Sequence, residues 1–244
     1  MGAPASTTPA LSASLQNKIE EAASLLRTIA ADYSPSCLAS SFGAEDMVLT
    51  DLIAKHASSI EIITLDTGRL PEETYTLMQQ VRQHYGLSIQ NYAPDTQALE
   101  QFVRERGPNA FYESVTLRKA CCHVRKVEPL RRALSGRKAW ITGIRHQQSV
   151  ARKDIPLSEW DDEHTLQKFS PLIEWKNQDV WDYIHTFNVP YNKLHDKGYP
   201  SIGCAPCTRA IAVGEDIRAG RWWWENEDAS AKECGLHSTM IGKG

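Results

Sequence analysis

Short apolar runs alternate with helix-patterned segments along this chain, and that alternation constrains the fold more than any other feature. Cys37-Leu38-Ala39 is a short apolar run, Ile60 to Leu65 a second, Leu87 to Tyr92 a third and Ala139 to Thr142 a fourth. Leu15, Ile19, Ala22, Leu26 and Ile29 precede the first run at spacings of four and three, and Met47, Leu49, Leu52 and Ile53 follow it. The runs predict buried strands and the spacings predict amphipathic helices. Pro71 with Glu72 and Glu73 starts a further helix that Gly86 ends. Asn177 is the expected cap of a helix through Val180, Trp181 and Ile184. Strands and helices in this order predict an α/β fold, doubly wound, with a mainly parallel sheet covered on both faces. No internal repeat or heptad array is visible.

Ligands of such sheets sit beyond the carboxyl ends of the strands. Three loops meet that condition: residues 40–46, 66–69 and 143–149. Each combines glycine with hydroxyl, acidic or arginine side chains. Ser40-Ser41-Phe42-Gly43, between strand and helix, is an expected phosphate cradle, since backbone N–H groups at a helix start favour an anion. Serine-glycine turns are also common helix starts. The loop lacks the closing Gly-Lys-Ser/Thr of a Walker motif.

Four of the six cysteines form a split pattern, Cys121-Cys122 with Cys204-Ala-Pro-Cys207. Neighbouring helical residues point about 100° apart, so an adjacent pair suits one tetrahedral ion poorly. A 4Fe–4S cube spreads its coordination points more widely, and these four cysteines are its expected ligands. Two core thiols plus a CxxC half-site is the bland alternative. Cys37 is expected in the core, and Cys234 stands apart as a candidate nucleophile. Residues 118–138 hold eight basic side chains against Glu128 alone, in a protein of net charge −3. That run is partly a solvated helix face and partly an expected anion site, with Lys126 one turn beyond Cys122.

The composition, 41% hydrophobic and 23% charged over 244 residues, is that of an ordinary globular protein. The charge balance argues against a general nucleic-acid binder. No apolar run approaches a membrane span, and the first residues lack a secretory pattern, so a cytoplasmic protein is expected. Residues 1–13 read as a disordered tip, 14–213 as the α/β domain and 214–244 as a mobile tail.

Ser41-Phe42-Gly43-Ala44-Glu45-Asp46 resembles a degenerate form of the Ser-Gly-Gly-x-Asp-Ser loop of adenylating ATP pyrophosphatases. A closer resemblance spans about residues 36 to 237. That loop occurs with Leu65-Asp66-Thr67-Gly68-Arg69, with Cys121-Cys122 ahead of Arg125-Lys126-Val127-Glu128-Pro129-Leu130, and with Thr142-Gly143-Ile144-Arg145. Leu194-His195, Ser201-Ile202-Gly203-Cys204-Ala205-Pro206-Cys207, Gly220-Arg221-Trp222-Trp223-Trp224-Glu225 and Glu233-Cys234-Gly235-Leu236-His237 follow in order. Together they resemble the assimilatory adenylyl-sulfate reductases, a branch of the phosphoadenylyl-sulfate reductase family.

The resemblance implies an adenine nucleotide alpha hydrolase-like sheet. It implies reduction of adenylyl sulfate to sulfite and AMP, with thioredoxin as electron donor. Cys234 would be catalytic and carry an S-sulfocysteine. Cys121, Cys122, Cys204 and Cys207 would hold the 4Fe–4S cluster, in a non-redox role that tunes the site through Lys126. Lys126, Arg218, Arg221 and His237 would clamp the phosphosulfate. Ser40, Ser41, Phe42 and Gly43, then Leu65, Asp66, Thr67, Gly68 and Arg69, then Gly143 and Arg145, would hold adenosine and phosphate. A homo-oligomer, a tetramer in bacterial members, is also implied. Trp222 to Trp224 are expected as a packing anchor and His195 as structural. The competing readings are the same chemistry on the 3′-phosphorylated substrate, an ATP-using adenylating enzyme, or an iron–sulfur sensor.

Overall fold

The computed structural model describes residues 11–149 and 152–225. Its elements run α1 (Ala13–Asp32), β1 (Ser36–Ala39), α2 (Ala44–His56), β2 (Glu61–Leu65), α3 (Glu72–Tyr85), β3 (Ile89–Tyr92), α4 (Thr96–Arg106), α5 (Val115–Cys122), α6 (Glu128–Leu134), β4 (Ala139–Ile141), β5 (Ser158–Asp161), β6 (Leu166–Phe169) and α7 (Asn177–Phe187). One sheet has the order β3-β2-β1-β4-β6-β5, parallel throughout except for the antiparallel pair β5 and β6. Strand order reverses between β1 and β4, so the crevice outside their carboxyl ends is the expected ligand position.

The pleat sorts the core into two layers. Leu38 and Ile141 face one side, where α1, α2, α3 and α7 supply Leu26, Leu52, Leu77 and Ile184. Cys37 and Trp140 face the other, against Leu130, Ala133 and Leu134 of α6. The predicted doubly wound α/β arrangement is thus present. Helix α2 is buried almost all round, because it lies between the sheet, α1 and α7. No helix among the described residues is long and apolar enough to cross a membrane.

Helix ends follow local chemistry. The Ser12 hydroxyl accepts from the Leu15 amide at the start of α1. Gly86 closes α3 in the left-handed region at φ 66°. Helix α7 begins one residue earlier than expected: Lys176 is its cap, and its N–H donates to Asp179 at 2.7 Å. Helices α5 and α6 join through a widened turn, His123–Val127, in which the Glu128 amide reaches back five residues to His123. Pro129 explains that turn, since it offers no N–H and its ring would crowd the carbonyl four residues before it. The extra residue per turn places Arg125 and Lys126 on the inner side of the junction.

Candidate active site

The loop after β1 turns sharply. Phe42 is buried and non-glycine, yet takes φ 60°. The Ser40 hydroxyl accepts from the Phe42 amide at 3.2 Å. The Ser41 amide and hydroxyl both donate to Asp46 Oδ2, at 2.6 and 2.8 Å. Asp46 lies in the first turn of α2 and is 6% exposed. Burial pushes its pKa up to about 6 against the lowering effect of those hydrogen bonds.

The loop after β4 closes on the same helix. A Cβ at Gly143 would stand 2.5 Å from Asp46 Oδ1 and 2.9 Å from the Glu45 side chain, so only glycine permits this approach. Arg145 is buried and donates through Nε and Nη2 to Glu45 Oε1, at 2.8 and 2.6 Å. Its Nη1 reaches the Trp175 carbonyl at 3.2 Å. Arg145 therefore lies on the crevice wall as a clamp between α2 and the segment before α7.

In the loop after β2, Asp66 Oδ1 accepts from the Gly68 amide at 2.9 Å and the Tyr75 hydroxyl at 2.7 Å. Thr67 Oγ1 accepts from the Arg69 amide and lies 3.2 Å from Cys204 Sγ. Its carbonyl accepts from Arg125 at 2.6 Å. The Arg69 guanidinium turns outward to the Pro108 carbonyl and Asn109. Gly68 takes φ 68°.

These loops bound a cavity of about 640 Å³, within the range of nucleotide-sized sites. Ser40, Ser41, Gly43, Leu65, Thr67, Gly143 and Arg145 line it, whereas Phe42, Asp66, Gly68 and Arg69 do not. Lys126, Arg218 and Arg221 line it at one end. Residues 218–222 are packed against the body there, whereas 214–216 are exposed. Arg209 and Gly220 pair through their backbones, and a Cβ at Gly203 would stand 2.4 Å from the Arg221 guanidinium. Trp222 is buried as a packing anchor, and Trp224 meets Tyr112 edge to face. Cys234 and His237 lie outside the described residues.

Two features were not legible as site features. His195 lines the cavity, edge-on to Trp181 at 5.2 Å, and burial lowers its pKa. Asp46 is the other: a carboxylate at the last position of a Ser-Gly-Gly-x-Asp-Ser-like loop was the available signal.

A smaller cavity behind Lys126, Arg221 and Trp222 is lined by Cys121, Cys122, Cys204 and Cys207. The Ala205 amide donates to the Arg69 carbonyl at 2.8 Å and fixes the CxxC turn beside the second loop. Burial pushes the Cys121 thiol up and the Cys207 thiol up to about 12. Burial also raises Cys204, but Lys126, the Thr67 hydroxyl and Arg221 outweigh it and leave its pKa below the usual value.

Residues 35–210 match the model of the phosphoadenosine phosphosulfate reductase domain. The chain belongs to the phosphoadenosine phosphosulfate reductase family. It is 52% identical to an adenosine 5′-phosphosulfate reductase of Allochromatium vinosum, over 94% of this chain and 89% of that one. It is 50% identical to one of Burkholderia cepacia, over 96% and 93%. Among solved structures, phosphoadenylyl-sulfate reductase from Candida auris, as a phosphate complex, superposes with a TM-score of 0.67 at 26% identity, covering 83% of this chain and 99% of that one.

The expected 4Fe–4S cluster is corrected on these findings. The matching domain model and this solved neighbour are of the phosphoadenylyl-sulfate reductase type. Among the described residues, no group of three or more His, Cys, Asp or Glu side chains could hold a metal ion. Cys121, Cys122, Cys204 and Cys207 are instead thiols of a buried pocket behind the cationic wall, and the tuning role assigned to a cluster falls with it.

The raised pKa of Asp46 carries a stability prediction. A carboxyl that binds its proton more tightly folded than unfolded contributes stability at low pH and loses it as pH rises. The window here runs from the ordinary value of 3.8 to about 6. Two pH units correspond to about 3 kcal/mol. Asp46→Asn keeps an oxygen to accept from Ser41 and removes the buried charge. It should raise the melting temperature at pH 7.5, with the gain shrinking as pH falls below about 6 and gone below 3.8, as followed by thermal denaturation across pH. An unchanged or lower melting temperature at pH 7.5 would contradict this account of Asp46.

Proposed function

We propose that this reductase takes electrons from thioredoxin and works through an S-sulfocysteine on Cys234. The chain is an oxidoreductase acting on sulfur, and its reaction is the reduction of adenylyl sulfate in sulfate assimilation. The observation that carries the finer reading is the cationic wall of Lys126, Arg218 and Arg221 at one end of a nucleotide-sized cavity. Cys234 lies nine positions beyond Glu225, which is packed beside that wall. Nine residues span at most about 30 Å, enough to return a thiol to the cavity.

The Cys234 thiolate attacks the sulfur, an S–S bond forms, the S–O bond breaks and AMP leaves with the electron pair. A thioredoxin thiolate then attacks Cys234 Sγ and releases sulfite. The second thioredoxin thiol resolves the mixed disulfide and returns the Cys234 thiolate. The dithiol supplies both electrons that take sulfur from the sulfate to the sulfite level. Lys126, Arg218, Arg221 and His237 offset the charge that grows on the leaving phosphate and sulfonyl oxygens. The adenosine lies along the 40–43, 66–69 and 143–145 loops. Arg145 serves through Glu45, and Arg69 by shaping its loop.

Sulfite assays with thioredoxin on adenylyl sulfate and on its 3′-phosphorylated form test the substrate. The second substrate merits its own arm, because the matching domain model is described as phosphoadenosine phosphosulfate reductase. Preference for adenylyl sulfate is expected from relatives near 50% identity. Lys126→Ala should lower kcat by about 10²- to 10³-fold, the scale for losing one donor to a developing oxyanion. A variant within threefold of wild type would remove Lys126 from the clamp.

A thioredoxin donor places the reaction in the cytoplasm. The chain beyond Glu225 delivers Cys234 first to substrate and then to thioredoxin. A homo-oligomer, specifically a tetramer, follows from the family resemblance, and a monomeric mass by light scattering would overturn it.

A further inference from the structure

A strand-to-helix loop of this kind ordinarily offers its backbone N–H groups to an anion. Here those donors are already turned to a carboxylate of the protein. Asp46 Oδ2 takes the Ser41 amide at 2.6 Å and the Ser41 hydroxyl at 2.8 Å. The Phe42 amide is directed to Ser40 Oγ. Ordinary capping turns an acidic residue three past a helix cap back to the cap amide. It does not account for the two bonds from Ser41, which draw the loop inward onto the carboxylate.

The placement is built from two sides. Gly143 leaves room for Oδ1 where any Cβ would stand 2.5 Å away. Glu45, alongside, is held by Arg145, and both acidic residues line the large cavity. This end of the cavity is therefore anionic, while Lys126, Arg218 and Arg221 stand on its wall elsewhere.

We propose that Asp46 is a specificity-determining residue, a resident anion that closes the β1–α2 loop to the pyrophosphate group of ADP, ATP or free pyrophosphate. A phosphate entering the loop finds the Ser41 and Phe42 donors already engaged and meets a fixed like charge. A nucleotide with a single phosphate ester avoids that end and directs its anionic group to the cationic wall. The proposal rests on the reading above that the cavity takes an adenylyl nucleotide.

Calorimetric titration of AMP, ATP and inorganic pyrophosphate into wild type, Asp46→Asn and Asp46→Ser at pH 7.5 tests it. Wild type should bind AMP at least tenfold more tightly than ATP. Both variants should gain at least tenfold affinity for ATP and pyrophosphate, with AMP changed less than threefold. Asp46→Asn preserves the side-chain shape and keeps the test open if the serine variant does not fold. Wild type that binds ATP as tightly as AMP overturns the proposal, as does a folded Asp46→Asn with an unmoved AMP-to-ATP ratio. Wild type that binds none of the adenine nucleotides overturns the reading of the cavity itself.

Discussion

Cys234→Ser should abolish sulfite formation, by about 10⁴-fold or more, the scale on which removal of a covalent nucleophile registers. AMP binding should stay within twofold of wild type. A thiolate attacks sulfur without a general base once its pKa is lowered, whereas a serine hydroxyl at neutral pH is almost wholly protonated. Lys232 and His237 flank Cys234 in sequence and Glu233 opposes them. Wild type mixed with adenylyl sulfate in the absence of thioredoxin should release one equivalent of AMP and retain a sulfonate. Peptide mapping should place that sulfonate on Cys234. Cys204 is the informative control, because burial raises its thiol while Lys126, Thr67 and Arg221 bring it below the usual pKa. A sulfonate on Cys204, or turnover persisting in Cys234→Ser, would overturn the assignment of the nucleophile.

The parts legible in sequence are those fixed by local pattern. β1, β2 and β4 are apolar runs because both faces of the inner sheet are covered, and the loops after them carry the site because of where such strands end. The β5–β6 hairpin leaves no such pattern, because it lies at the sheet edge and is polar. Lys168 is buried there against Glu159 at 2.8 Å, a cross-strand pair that no periodicity announces.

Arginines show the same limit within the site. Arg145 and Arg69 follow strands in loops suited to anions, and both read as ligands. The structure gives Arg145 to Glu45, 100 residues earlier, and Arg69 to a carbonyl and an amide about 40 residues later. Pairings over such separations depend on the sheet order and leave no spacing signal. The split cysteine pattern erred in another direction. Its spacing suggests a ligand set, whereas the structure shows four thiols around a small pocket among which no metal-holding group is formed. What survives of that reading is the nearness of Lys126 to Cys204, which the widened turn ahead of Pro129 produces.

Glu225→Ala should release the packed segment that leads to Cys234. Arg118 and Glu225 form a two-bond pair, Nε to Oε1 at 2.7 Å and Nη2 to Oε2 at 3.1 Å, with side chains 2% and 4% exposed. The Arg118 guanidinium also lies over the Trp222 ring, 4.4 Å from its centroid. Removing one partner of a buried pair costs about 3–5 kcal/mol, because the other charge loses its counter-ion in a desolvated site. The β1–β4 core does not depend on this pair, so the cost falls on docking of residues 214–225. Proteolysis within that segment should therefore accelerate about 10²-fold or more, while the main thermal transition moves only slightly. Sulfite formation should fall with it, since Arg218 and Arg221 lose their positions together. Arg118→Met combined with Glu225→Leu removes both charges and refills the space, and should recover most of the protease resistance. Proteolysis of Glu225→Ala at the wild-type rate would show that Trp222 and the Arg209–Gly220 pairing hold the segment without the ion pair.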